Sequence, residues 1–211
     1  MLWSTRTSAG HALAITLREK RIHEMPQPII LGLARGGVVV AAAAAHDLHM
    51  PLDVLIVRKL GLPFQPEVAM GALAPDVQLL DHALIAEFGV ADAAVQEAIH
   101  REAAEMKRRA ALYRGNRAPL DLRDRTVLLI DDGLATGMTA IAAARSVLAQ
   151  KPLHVIVAAP IGSRDACRRL QREEPRARCI CTREVELFGG IGAYYEEFTQ
   201  VTDAEVMSLT S

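Results

Sequence analysis

The amino-acid sequence predicts an α/β fold, doubly wound, with a mostly parallel sheet and helices on both faces. Three observations carry this expectation. Strand-length runs that are apolar almost throughout (residues 29–33, 53–57, 127–130 and 153–159) alternate with segments of helical periodicity. The joints between them carry Gly, Pro, Asp and Thr, the chemistry of short turns. At 211 residues and 51% hydrophobic content, the chain can bury a full core without disulfides or metals, so disorder and collagen-like repeats are excluded. A single domain over residues 1–211 is expected.

The elements follow in order. Leu13, Leu17 and their neighbours give residues 9–24 a partly apolar helical face, which Pro26 and Pro28 stop. Residues 29–45, the most apolar stretch, fall short of the ~20 residues of a membrane span. Arg35, Gly36 and Gly37 also interrupt it, so strand, tight turn and helix (38–48) are expected and no membrane partner is. A second strand, 53–57, ends on Arg58 and Lys59, and residues 59–68, with Gly61, Pro63 and Pro66, read as a loop. A strand pair (69–74, 77–80) precedes the clearest helix, 91–114. There Glu97 and Arg101, and Glu105 and Arg109, stand at the favourable i,i+4 spacing, and Lys107, Arg108 and Arg109 read as a solvated face. Gly115 and Asn116 end that helix and Pro119 keeps the linker extended. Then come a strand to residue 130, a helix over 139–149, a strand over 153–159 with His154 as a core residue, a helix over 163–173 and a strand over 179–182. A glycine-aromatic loop (188–198) leads to a last helix capped by Asp203, with Val206 and Leu209 facing inward.

Charge and cysteine usage exclude more. With 24 Lys+Arg against 25 Asp+Glu the net charge is −1, which argues against a protein whose main work is neutralising nucleic-acid phosphates. Only four of the 24 cations are lysines (Lys20, Lys59, Lys107, Lys151). Three cysteines, Cys167, Cys179 and Cys181, form an odd set without a C-x-x-C pair, so neither a disulfide framework nor a four-ligand zinc site is expected, and a reducing compartment fits best. The first residues lack the layout of a secretory signal, and a cytoplasmic location is expected.

In an open α/β sheet, ligands bind at the carboxyl ends of strands. Three such ends carry polar residues that packing does not require. After the apolar strand 127–130 come Asp131, Asp132, Gly133, Leu134, Ala135, Thr136, Gly137, Met138 and Thr139. Adjacent strand residues point to opposite faces, and carboxylates accept hydrogen bonds only, which suits a vicinal diol or hydrated Mg²⁺. The small, hydroxyl-bearing turn at 135–139 runs straight into a helix, whose unpaired first amides and dipole favour an anion. Neither a P-loop nor a G-x-G-x-x-G pattern is present at this turn. The second strand end offers Arg35, Gly36 and Gly37: a charged fork and two residues that permit close backbone approach. The third offers Arg58 and Lys59.

Residues 127–139, an apolar strand followed by two acids and small-x-small-Thr-Gly-x-Thr, resemble the phosphoribosyl pyrophosphate (PRPP) motif of type I phosphoribosyltransferases. The Arg-Gly-Gly turn resembles that family's pyrophosphate loop, and Arg58-Lys59 the start of its catalytic loop, so the resemblance covers about residues 28–160. It implies a core over that range and a small hood from about 1–27 and 175–211. It further implies that Asp131 and Asp132 hold the ribose hydroxyls and, through these or water, Mg²⁺, and that the loop 135–139 holds the 5′-phosphate. Arg35 with the Gly36 and Gly37 turn would meet the diphosphate, and Arg58 and Lys59 would neutralise it as it leaves. The implied activity is Mg-dependent phosphoribosyl transfer from PRPP to a small nitrogenous acceptor, expected to be a nucleobase, by a cytoplasmic enzyme forming a homo-oligomer, a dimer. The acceptor would stack on hood aromatics, of which Phe188, Tyr194 and Tyr195 are the candidates. Ala135 stands where 6-oxopurine members carry an Asp, which points toward the adenine and uracil branches. The competing class is a PRPP-sensing regulatory protein without transferase activity; a receiver-like phosphorylation site explains neither Thr136-Gly137 nor Arg35-Gly36-Gly37.

Overall fold

The computed structural model describes residues 2–115, 117 and 120–210; the expectations for Asn116 and Pro119 lie outside them. The first helix, α1 (Arg6–Glu19), starts three residues earlier than periodicity suggests. Thr5 caps it, its side chain accepting from the Ser8 amide while the Ser8 hydroxyl accepts from the Thr5 amide. It also ends earlier, with a 3₁₀ turn over Ile22–Glu24. Strand β1 (Pro28–Leu33) feeds α2 (Gly36–Leu48), and β2 (Leu52–Leu55) follows. Next come the strands β3 (Arg58–Gly61), β4 (Ala69–Ala74) and β5 (Val77–Leu80), a short α3 (His82–Glu87), and the long α4 (Asp92–Arg114). The second half contains β6 (Thr126–Ile130), α5 (Met138–Leu148), β7 (His154–Ser163), α6 (Arg164–Glu173), β8 (Ala177–Val185) and α7 (Asp203–Leu209).

Five strands form a parallel sheet in the order β2-β1-β6-β7-β8. Its two faces are covered by different helices because alternate residues of each strand point oppositely. Ile30, Leu128, Ile130 and Ile156 pack with Leu13 and Leu17 of α1 and Val40 and Ala41 of α2. Ile29, Leu31, Leu129 and Val157 pack with Ile141 and Ala144 of α5 and Leu170 of α6. The expected doubly wound fold is therefore present. From β1 the chain moves outward to β2, whereas β6, β7 and β8 proceed in the opposite direction. The order reverses between β1 and β6, and that crevice is where such sheets bind ligands.

A second sheet, β3-β4-β5, is antiparallel and has its own core, in which Leu60, Met70 and Leu73 pack on Val95, Ala98 and Ile99 of α4. Arg58 and Lys59 belong to it. They do not close the second parallel strand, as the sequence suggested, because the backbone of β4 pairs with theirs, Arg58 opposite Leu73 and Lys59 opposite Ala72. The loop is accordingly shorter, residues 62–68, and internal bonds such as Leu62 N–H to the Val68 carbonyl (2.9 Å) shape it.

Other expectations are corrected. Cys167 and Cys179 form a disulfide, because α6 and β8 bring their Cα atoms to 5.6 Å, a proximity the 12-residue spacing does not reveal. Cys181 is a free thiol 3.7 Å from the Cys167 sulfur, and burial pushes it up to about 12. His154 is exposed at the start of β7. Thr202, and not Asp203, caps α7, with Glu205 completing a capping box. Val206 is buried there, but Leu209 is exposed. In α4, Arg109 is buried and paired with Glu105 at 2.7 Å, so it leaves the solvated face. Arg101 pairs with Glu102 in place of Glu97. Among the described residues no helix is long and apolar enough to cross a membrane.

Candidate functional site at the strand-order reversal

The carboxyl ends of β1 and β6 bring two of the three sequence-selected groups together. Gly36 and Gly37 open α2 directly against the acid pair. A Cβ on Gly36 would lie 2.0 Å from Oδ2 of Asp132, and one on Gly37 would lie 2.5 Å from the Ile130 carbonyl and 3.0 Å from Oδ1 of Asp131. Only glycine allows this approach, so the turn after Leu33 and the acids after Ile130 form one surface. The Ala34–Arg35 peptide in that turn is cis. Arg35 pairs with Asp203 on α7, its guanidinium 3.9 Å from the carboxylate.

The acids differ in environment. Asp131 is half-buried and accepts from the Asp132 amide at 2.9 Å. Burial, then the negative charge of Asp132, push its carboxyl well above the usual carboxylate range, while the Arg6 charge opposes the rise. Asp132 is buried, and its Oδ2 accepts from Arg6 Nε at 2.7 Å. Arg6 Nη1 also donates to the Thr199 carbonyl (2.8 Å), and its guanidinium lies 3.8 Å from the Phe198 ring centroid. Nothing in the sequence around Arg6 signals this role, which comes from α1 placing its first residue over the strand ends.

The loop after the acids builds an anion cradle. Gly137 has φ +77°, which favours glycine, and starts α5. Ala135 and Thr136 are exposed, Gly137 and Met138 are buried and Thr139 is half-buried. The Met138 amide lies 3.5 Å from the Thr136 hydroxyl, and the Ser163 hydroxyl donates to the Ala135 carbonyl at 2.7 Å. Gly133 packs against Ile191, where a Cβ would lie 2.8 Å from its side chain. Exposed small residues thus front a helix N-terminus that can take a phosphate.

Above the acids the two terminal stretches meet. The Trp3 amide donates to the Tyr194 carbonyl (3.0 Å), and Glu196 and Glu197 amides donate back to Trp3 and Ser4. Tyr195 is buried, donates to the Asp132 carbonyl at 2.6 Å and stacks on Phe198 with centroids 5.2 Å apart. Its ring is committed to this packing and offers no free face for an acceptor. Phe188 and Tyr194 lie against each other at 5.3 Å, half-buried. The other parts of the terminal ranges, α1 and β8, belong to the main layers.

Arg58 and Lys59 lie apart, on a cleft of about 800 Å³ between β3, the loop after it and α4, with Gln200 at its edge. Each already has an acid: Glu102 takes Arg58 through Nε (2.9 Å) and Nη2 (2.6 Å), and Glu67 takes Lys59 at 3.3 Å. Sequence reading missed Glu102, a buried carboxylate that also holds Arg101. It also missed the cluster at α7, where Tyr113 and Arg108 bond to Asp203 and lower its carboxyl from the usual range. A second, largely apolar cavity of about 630 Å³, lined by Val54, Ile56, Met106 and Leu122, contains no motif residue.

A parallel sheet with a glycine turn, an acid pair and an exposed helix start around its reversal point places these groups where open α/β domains bind ligands. The phosphoribosyl transferase domain matches residues 8–195, and the chain belongs to that family. A Mycobacterium tuberculosis H37Rv protein provisionally named a phosphoribosyl transferase is 39% identical over 209 residues, which is 98% of this chain and 46% of the relative. The chain thus spans about half the length of the curated relatives it matches. The Thermus thermophilus protein TT1426 is similar throughout, with TM-score 0.76, 35% identity and coverage of 100% of this chain and 98% of its own. An Aquifex aeolicus structure shares the fold at TM-score 0.54 and 12% identity, over 85% and 74% of the two chains.

Proposed function

We propose that this chain transfers the phosphoribosyl group of PRPP to a small nitrogenous acceptor, a nucleobase by preference, and releases pyrophosphate. The observation that carries this reading is the packing of Gly36 and Gly37 onto Asp132 and Asp131, beside the α5 start. A diphosphate on the Arg35–Gly37 turn would there share a surface with ribose hydroxyls on the acids, and the 5′-phosphate would lie at residues 135–139. The donors suit Mg²⁺: Asp131 and the Oδ1 of Asp132 are hard oxygens, too few for a full shell, as expected of an ion held mainly by substrate and water. Bound there, the ion would offset diphosphate charge.

The protein's own part is positioning and electrostatics. Asp131 and Asp132 orient the ribose and stabilise positive charge as the bond at C1 loosens. Arg35, Arg58 and Lys59 supply positive charge to the departing pyrophosphate, which requires Arg58 and Lys59 to exchange Glu102 and Glu67 for phosphate oxygens. Phe188 and Tyr194 are the proposed acceptor contacts, and Ala135 leaves the loop without a carboxylate for a 6-oxopurine.

One observation favours a second reading. Arg35, Arg58 and Lys59 are each paired with an acid, as suits a protein that binds PRPP and transfers nothing. Pyrophosphate release from PRPP and Mg²⁺ across a panel of purines, pyrimidines and simple amines decides between them. Turnover on one acceptor class is expected; tight PRPP binding with no release on any acceptor would establish the regulatory reading.

A further inference from the structure

Arg6 stands outside every motif yet joins three parts of the molecule. As the first residue of α1 it is fixed by the Thr5–Ser8 capping box. Its Nε binds Asp132 Oδ2, its Nη1 binds the Thr199 carbonyl, and its plane covers Phe198. Phe198 stacks on Tyr195, and the Tyr195 hydroxyl returns to the backbone carbonyl of Asp132. The contacts close a ring, Asp132–Arg6–Phe198–Tyr195–Asp132, that links an acid of the site, through both its side chain and its backbone, to the C-terminal stretch. Both charged side chains are only 10% exposed, so water screens the pair weakly. The geometry is also directional. The Oδ2 oxygen faces Arg6 and Gly36, which leaves Oδ1 as the oxygen of Asp132 for a ligand. A lysine could supply the charge but not the fork that reaches Asp132 and Thr199 together while lying flat on a ring.

We propose that Arg6 is a positioning residue: it fixes the Asp132 carboxylate with Oδ1 presented, and it couples that carboxylate to the terminal stretch 195–200, so that a ligand on the acid pair steadies this stretch. The ligand part rests on the reading of the acids as a PRPP site, whereas the coupling does not. A ligand that draws on Asp132 reinforces a carboxylate already anchored to Arg6, and Arg6 in turn holds Thr199 and Phe198. Ordering therefore passes along bonds that exist before the ligand arrives.

The test uses the full chain and its Arg6→Gln, Arg6→Lys, Phe198→Leu and Asp132→Asn variants, with amide hydrogen exchange over 195–200 read first without ligand. Arg6→Gln and Asp132→Asn are expected to speed exchange there by similar factors, about tenfold or more. Phe198→Leu should show a smaller increase, and all variants should keep their helical circular dichroism. Unchanged exchange over 195–200 in Arg6→Gln would overturn the coupling, whatever the ligand. MgPRPP is then added. Wild type should show slower exchange over the same stretch; Arg6→Gln should bind MgPRPP at least tenfold more weakly and lose that slowing, and Arg6→Lys should recover part of the affinity but not the slowing. Wild-type affinity and slowing in Arg6→Gln would overturn the positioning role. If wild type binds no MgPRPP, the acid-pair reading fails, while the ligand-free exchange still upholds or overturns the coupling.

Discussion

The resemblance gives the acid pair and the basic pair to neighbouring parts of one substrate, the ribose hydroxyls and the departing diphosphate, yet the fold treats the two pairs differently. Asp131 and Asp132 leave a strand buried over its whole length, Thr126–Ile130, and meet the glycines of the neighbouring strand end. Arg58 and Lys59 sit on a short antiparallel strand of a separate sheet, half-buried, each neutralised by a carboxylate. One group is fixed by the core and the other by exchangeable ion pairs. Under the proposed function the difference has a reason: a platform for the ribose would need rigidity before ligand arrives, whereas groups proposed to meet a departing charge would need a resting partner they can leave.

The largest expected effect breaks the rigid side. Asp132→Ala should strand Arg6 in a nearly buried position and cost about 3 kcal/mol, with loss of MgPRPP binding. Urea unfolding and calorimetric titration check both, and a variant that keeps full affinity would remove the contrast. Next, Gly37→Ala forces a Cβ onto the Ile130 carbonyl and should cost about 1–3 kcal/mol, with weaker pyrophosphate binding. On the exchangeable side, Glu102→Gln keeps an acceptor oxygen for Arg58, whose side chain is 25% exposed, and should cost about 1.5 kcal/mol. It takes the counter-charge from Arg58, so pyrophosphate affinity should rise several-fold at low salt and lose that gain at high salt. Smallest in stability is Lys59→Ala, expected within about 0.5 kcal/mol of wild type because its pair is exposed. Turnover should nonetheless fall at least tenfold at saturating substrate.

Proton linkage sharpens the same contrast. Asp131 has its carboxyl raised by burial and then by Asp132, so the folded chain retains a proton that the unfolded chain loses at its ordinary value. Its contribution to stability is present below the ordinary carboxylate range and is lost as pH rises through the folded value. Asp131→Asn should flatten that part of the stability profile. Glu105 behaves oppositely: Arg108, then Arg109, hold it at about 2 against an ordinary 4.5, so its contribution is present above 4.5 and lost as pH falls toward 2. Urea midpoints of Glu105→Gln and wild type should therefore converge at low pH.

The parallel sheet and the candidate site on β6 were legible because strand and motif are contiguous: Val127 to Ile130 are apolar, and the acids, Gly137 and the helix start follow without interruption. Gly36 and Gly37 were legible for the same reason. What escaped depends on contacts between distant segments. Arg6 meets Asp132 across 126 residues and Arg58 meets Glu102 across 44. The Cys167–Cys179 bond depends on where α6 lies along β8. Arg58 and Lys59 were misplaced because a polar start to an antiparallel strand and a polar end to a parallel one look alike without the partner strand. Tyr195 looked free because no local pattern announces that its hydroxyl reaches Asp132.

The Ser163 hydroxyl, which caps α6 at the Ala166 amide and donates to the Ala135 carbonyl, sets the polarity of the loop proposed to hold the 5′-phosphate. In a trans peptide the C=O and the next N–H point in opposite directions. Holding the Ala135 oxygen toward Ser163 therefore turns the Thr136 N–H away from Ser163. A single buried hydroxyl thus sets the sign of the local dipole. Without it, the same peptide could rotate and present a carbonyl oxygen, and a surface that attracts an anion would repel one.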